Sequence, residues 1–307
     1  MKISLSTNWC NRRMESGEEI ADKALELGFD ELELGFHTTR AQVDGFKARL
    51  DRIPVGSVHA FAPVPISAPC GYPELYTLAS FDEEARRMAA FQVKRNVEFA
   101  AEMGADTVVL HAGRVPFSTF FRPSLDSLAL REKLLAAERK TEAPGYAKLL
   151  AKARKIRTAR GAKLLDVFRT ELDALVPVLE RHRVVLALEN LPYLEGFPDE
   201  DELKTLFEAY KGAPVRGWFD TGHDRVRVSH GWTEPGSGTN AEMFAGMHLN
   251  DVQDLYDDHL PPGEGKVDFA ALRDFARAVR HVVVEPSCSV AEENLRRGLE
   301  SVRRLFS

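Results

Sequence analysis

The chain has 307 residues, 44% of them hydrophobic and 29% charged, and a formal net charge of −6. That balance is ordinary for a soluble globular protein with ample core, and the acidic excess argues against a broad basic surface for nucleic acid. Three cysteines, Cys10, Cys70 and Cys288, are too few and too scattered for a disulfide framework or a thiolate zinc site, and read as free thiols of a reducing compartment.

The first residues, MKISLSTNWC, read as a short strand and a polar turn, without the apolar core of a signal peptide. No apolar run approaches the ~20 residues that span a bilayer, so no membrane role is expected and a cytoplasmic location follows. Strand and helix patterns then alternate to the end of the chain. Lys2 to Ser6 is the first strand, Glu18 to Leu27 a helix capped by Gly28, and Glu31 to Gly35 the second strand. A short helix over Gln42 to Leu50 leads to the third strand, Pro54 to His59. A proline-rich loop, Phe61 to Ala79, precedes a long helix, Asp82 to Met103, and the fourth strand, Thr107 to His111.

Strands five to eight fall at Val184 to Glu189, Val215 to Asp220, Phe244 to Leu249 and His281 to Glu285. Helices fit at Asp201 to Tyr210, Phe269 to Val279 and Glu292 to Phe306. The strands are continuous apolar runs, as in a parallel sheet covered on both faces. Eight strands, most followed by a helix, predict a single-domain (β/α)8 barrel over 1–307. One departure is large: roughly seventy residues separate His111 from the fifth strand, about twice what such a unit needs. Val115 to Ser127 reads as irregular, Leu128 to Arg160 as a charged helix and Leu164 to Arg181 as the expected outer helix. The insertion over 115–160 follows the fourth strand on the active face, where a lid, a substrate wall or an oligomer contact would lie.

The strand ends carry the chemistry. They finish in His59, His111, Glu189, Asp220 (with His223 just after), His248 and Glu285, and Asp257 and His259 follow His248 in a Gly/Pro loop. In a barrel these positions converge on one mouth. Singly, each has a bland explanation; Asp220 could simply cap the next helix. Together they would be costly to desolvate without a metal or substrate to pair with. Carboxylate with imidazole and no thiolate suits Zn²⁺ or Mn²⁺ and fits Mg²⁺ less well. His37, His182, His230 and His281 lie away from the strand ends or begin a strand, and no role is assigned to them.

LALEN around Glu189, FDTGH around Asp220 and His223, HLND at His248, DDHLPPGEG and VVVEPS around Glu285 together resemble the xylose isomerase-like barrel superfamily. Its members include sugar isomerases and epimerases and the endonuclease IV type of abasic-site DNA repair enzyme. In the sugar branch the resemblance implies one divalent ion held by Glu189, Asp220, His248 and Glu285, with the two glutamates as the acid/base pair. His223 and His259 would then bind substrate hydroxyls, with Glu264 and Lys266 in the loop beside them and Arg114, directly after HAG, orienting the substrate. In the repair branch the resemblance implies three zinc ions on nine ligands: His59, His111, Glu189, Asp220, His223, His248, Asp257, His259 and Glu285. This chain departs from the repair enzymes in carrying Asp258 where they have an arginine, and FAPVPISAP where they have a tyrosine-containing segment. The reading is therefore a metal-dependent sugar isomerase or epimerase working on a small carbohydrate by proton abstraction next to a carbonyl. The alternatives are a three-zinc phosphodiesterase on abasic DNA and a dehydratase or lyase on a keto-sugar or inositol derivative. Self-association is left open.

Overall fold

Eight short parallel strands close on themselves. In the computed structural model, which describes residues 1–117, 125–236 and 240–306, they are β1 (Ser4–Ser6), β2 (Glu31–Leu34), β3 (Val55–His59), β4 (Thr107–Leu110), β6 (Val185–Glu189), β8 (Val215–Asp220), β9 (Phe244–Leu249) and β10 (His281–Val284). Each pairs with the next in that order, and β10 pairs back onto β1. A separate antiparallel ribbon joins β5 (Gly113–Arg114) to β7 (Gly196–Phe197), just beyond the ends of β4 and β6. The sequence pattern does not announce this ribbon, because two residues are too few to show a period.

Helices α1 (Gly17–Leu27), α2 (Arg40–Lys47), α3 (Glu83–Glu102), α6 (Glu200–Ala209), α7 (Thr221–Ser229), α8 (Arg273–Ala278) and α9 (Glu292–Phe306) surround the barrel. Their ends are chemically marked. The Ser16 side chain accepts from the Glu19 N–H, Gly28 closes α1 at φ 94°, and Asp82 caps α3. Asp199 and Glu202 cap α6 reciprocally. The main core lies between the strands and these helices, as the apolar strands require. Among the described residues no helix is long and apolar enough to cross a membrane.

The insertion differs from its expected division. Residues 118–124 of the stretch expected to be irregular lie outside the described residues. The helices expected at 128–160 and 164–181 are instead α4 (Ser127–Ala136) and one unbroken 39-residue helix, α5 (Pro144–His182). The break falls at 137–143, where Glu138 and Arg139 are left-handed (φ 53° and 63°), with no glycine or asparagine to signal it. Gly161, which invites a break in the sequence, lies inside α5, where a methyl group would collide with the buried Arg157 and Glu202 side chains. The helix expected at 269–279 shortens to α8.

Candidate metal centre

Strand alternation explains why the site residues sit where they do. Successive side chains point to opposite faces, so positions 109 and 111, 187 and 189, 218 and 220, and 283 and 285 face the barrel axis in pairs. The lower members, Val109, Ala187, Trp218 and Val283, form a buried cluster of their own. The upper members are His111, Glu189, Asp220 and Glu285. His59 and His248 end the same pattern on β3 and β9, and all six upper side chains are buried. Gly246 lies two residues below His248, and the Trp218 indole fills the space its side chain would take.

The structure gathers these residues into three sets of donor atoms, each set within 4.8 Å. One is Glu189, Asp220, His248 and Glu285. A second is His59, His111 and Glu189, and the third is His223, Asp257 and His259. His248 holds the first set together: its Nδ1 lies 3.1 Å from Glu189 Oε1, 3.1 Å from Glu285 Oε2 and 3.6 Å from Asp220 Oδ2. Asn8 donates to Glu285 and Asn250 donates to Asp220, which fixes both carboxylates. Asp220 also caps α7, accepting from the His223 N–H at 2.7 Å, so the bland reading of this residue and the functional one coexist.

Three of the imidazoles have one nitrogen tied back to a backbone carbonyl, whereas His111 Nδ1 is buried without a hydrogen bond. Nδ1 of His59, His223 and His259 faces the carbonyl of Ala60, Asn190 and Glu285, at 2.8, 2.7 and 3.1 Å. A nitrogen donating to a carbonyl carries the proton, so in the neutral ring Nε2 keeps its lone pair. Those Nε2 atoms, and that of His111, point at shared carboxylates. His59 and His111 approach Glu189 Oε2 at 3.3 and 3.2 Å, and His223 and His259 approach Asp257 Oδ2 at 3.2 and 3.1 Å.

The donor set passes a test for metal binding on this geometry. Glu189 Oε2 is buried and accepts no hydrogen bond, although two imidazole nitrogens face it. Lone pairs directed at one another in a desolvated site repel unless a proton or a cation lies between them. The residues fit a divalent cation with carboxylate and imidazole ligands. Hydrogen bonds from the far ring nitrogens of His59, His223 and His259 also hold these rings as metal-ligand histidines are held.

The local field is strong. Burial pushes the Glu189 carboxyl upward, but His248 and His111 outweigh it and hold the group well below the usual range. Burial dominates at Asp220, whose carboxyl is pushed up to about 6 despite His223. For Asp257, His259 and His223 together overcome burial and hold the carboxyl far down.

A cavity of about 290 Å³ opens above these groups, lined by His59, His111, His223, Asp257, His259 and Glu285. Its rim includes Tyr72, Glu74, Arg114 and Tyr193. The Arg114 guanidinium is gripped by both carboxylate oxygens of Glu74 and lies 3.5 Å over the Tyr193 ring. Two of the candidate substrate residues lie outside this cavity. Glu264 is turned away toward Arg297 and Asn294, and Lys266 is exposed beside Val267 and Asp268; neither lines this cavity. The Pro-Pro-Gly turn carries them outward because Asp251 gathers the N–H groups of Gly263, Gly265 and Val267.

Sequence reasoning missed several participants. His37, assigned no role, lines the cavity. Glu33 is wholly buried on β2, accepts from Ser57 Oγ at 2.8 Å and takes His248 Nε2 at 3.0 Å. This bond puts the proton on Nε2 and leaves Nδ1 for the first donor set. The signal was a glutamate in the middle of a strand of a two-face-covered sheet, Glu-Leu-Glu-Leu, which reads first as ordinary alternation.

The model of the family described as xylose isomerase-like TIM barrel matches residues 21–305. A comparison with curated proteins finds no match. Similar solved structures include a D-tagatose 3-epimerase-like protein, at 20% identity and TM-score 0.60, with all of both chains covered. Another is the 3-keto-D-glucoside 4-epimerase YcjR from E. coli, at 20% identity and TM-score 0.62, covering 99% of both chains. A third, the TTHB071 protein from Thermus thermophilus, was soaked with ZnCl2; it is 23% identical, with TM-score 0.63 and coverage of 99% of this chain and 98% of that one.

Proposed function

The chain belongs to the xylose isomerase-like TIM barrel family, and we propose that it is a divalent-metal-dependent isomerase or epimerase acting on a small polyhydroxylated carbonyl compound. The observation that carries this reading is the first donor set, in which two glutamates flank His248 Nδ1 at 3.1 Å each, one of them, Glu285, lining a cavity of sugar size. Glu189, Asp220, His248 and Glu285 would hold the ion, with Mn²⁺ or Zn²⁺ best suited to these donors. When bound, the metal polarises the carbonyl and a neighbouring hydroxyl, which acidifies the hydrogen on the carbon between them. One glutamate removes that proton and the other returns it. His223 and His259 bind hydroxyls, and Arg114, held rigid by Glu74 and Tyr193, orients the far end of the substrate. The epimerases among the structural neighbours support sugar carbonyl chemistry, and the acidic rim of Glu74, Asp257 and Asp258 disfavours a polyanion. The whole chain is read as one catalytic domain.

A second reading is favoured by one observation: all nine residues of a three-metal centre converge in three donor sets. Such a centre would serve a phosphodiesterase on abasic DNA. Elemental mass spectrometry of protein purified without added metal or chelator separates the two. About one Mn²⁺ or Zn²⁺ per chain is expected for the isomerase, with loss of that ion in Asp220→Asn. About three Zn²⁺ per chain, with cleavage of abasic DNA, would replace this reading by the second.

A further inference from the structure

Asp257 is the one member of the three donor sets that lies on neither a strand end nor a barrel helix and has no tether to the backbone of either. His259 is tied to the Glu285 carbonyl, and Ser287 N–H donates to the His259 carbonyl. The base of the loop is closed where Asp251 and Leu260 exchange backbone hydrogen bonds at 2.8 and 2.9 Å. Above it Gln253 donates to Asp258 and to the Glu264 carbonyl, which leaves residues 254–257 to be held from elsewhere.

That support comes from the insertion, one residue at a time. Asp254 forms an ion pair with Arg139, in the left-handed turn that ends α4. Leu255 is 1% exposed and belongs to a separate apolar cluster with Leu130 and Leu134 of α4 and Tyr146 of α5. The ring of Tyr256, itself half exposed, lies under the Arg131 guanidinium at 4.8 Å. The next residue is Asp257, whose Oδ2 reaches both His223 and His259. The same cluster buries Leu194 and Trp232, and the insertion grips their loops as well. Ser127 Oγ donates to Glu195, and Arg154 donates to the carbonyls of Gly231 and Trp232.

We propose that the insertion is the positioning element for Asp257, and that the His223–Asp257–His259 set is assembled only while α4 is docked on residues 254–256. Arg139, Arg131 and Leu130 are then positioning residues, acting through the loop rather than on the substrate. The four-residue set on the strands is independent of them, because β6, β8, β9 and β10 are locked in the barrel. The claim concerns assembly of the site and holds under either reaction.

Hydrogen exchange on the full chain, stripped of metal, tests it together with the ring ¹⁵N signals of His223. Arg139→Ala should speed amide exchange over 253–257 by threefold or more, and Leu130→Ala by tenfold or more, while 244–249 in β9 stays at the wild-type rate. Arg139→Lys should restore protection, and Arg139→Ala with Asp254→Ala should go no further than Arg139→Ala alone. The His223 Nε2 signal in Arg139→Ala should move toward its position in Asp257→Asn, a shift that loss of stability elsewhere would not produce. Wild-type exchange at 253–257 and an unmoved His223 signal in Arg139→Ala would overturn the proposal; that variant, at a surface position, decides the matter if Leu130→Ala loosens β9.

Discussion

Glu189 belongs to two donor sets and is wholly buried, so its replacement is the sharpest test at the level of single residues. Glu189→Gln and Glu285→Gln each keep shape and volume and remove the base. Both are expected to abolish turnover with the circular dichroism spectrum unchanged; near wild-type activity in either would refute the proton-transfer assignment. Glu33 makes a different prediction. It does not line the cavity and would act by orienting His248 through Nε2. Glu33→Gln is expected to weaken Mn²⁺ or Zn²⁺ affinity by roughly 10–100-fold, the usual cost of losing such a partner, measured by competition with a chromophoric chelator; unchanged affinity would remove Glu33 from the account. The residues of the three donor sets were legible because six strands end in an ionisable side chain. Glu33 and Glu74 were not, because a carboxylate that supports another side chain leaves no spacing signature.

At the scale of elements, the strands were readable to within a residue or two because a doubly covered parallel sheet leaves unbroken apolar runs. The tight floor beneath the candidate metal centre was not. Gly246 on β9 and Trp218 on β8 share one space: a methyl group at 246 would overlap the indole, whose ring centroid lies 5.1 Å from that of His248. Gly246→Ala is expected to destabilise the protein by about 1–3 kcal/mol, the range for overpacking a core, and to weaken metal binding by displacing His248. A denaturation midpoint and metal affinity equal to wild type would show the floor to be soft. The α4–α5 boundary was misread for a physical reason. Its left-handed turn uses Glu138 and Arg139, residues of high helix propensity, held there by tertiary contacts such as Arg139 with Asp254. That Glu264 and Lys266 lie off the cavity was not legible, because their proximity to His259 in sequence says nothing about which way a Pro-Pro-Gly turn leads.

For the molecule as a whole, the buried histidines fall into groups with opposite electrostatics. Beside the carboxylates, burial is outweighed at His59, His223, His248 and His259, with His223 raised to about 10 through Asp220 and Asp257, whereas burial holds His111 below the usual range. Away from the centre, burial depresses His230 and His281 to about 4. A histidine buried neutral stabilises the fold fully above its unfolded value of about 6.5, and that contribution is lost as pH falls from there through about 4. The thermal midpoint is therefore expected to fall between pH 6.5 and 4, and to fall less in His281→Gln, which has nothing to titrate. Ring signals of His230 and His281 that titrate near 6.5 would contradict this. The net charge of −6 and the small cavity together fit a small neutral substrate rather than a nucleic acid.

The most direct test of the central claim is deuterium uptake from D2O into a panel of free ketoses and keto-sugars, followed by mass spectrometry, with Mn²⁺-loaded protein. The expected result is one deuterium on a carbon next to the carbonyl of at least one sugar, absent with Glu189→Gln, with Glu285→Gln and after chelation. No exchange in any sugar, from a preparation that holds three Zn²⁺ and cleaves abasic DNA, would contradict it.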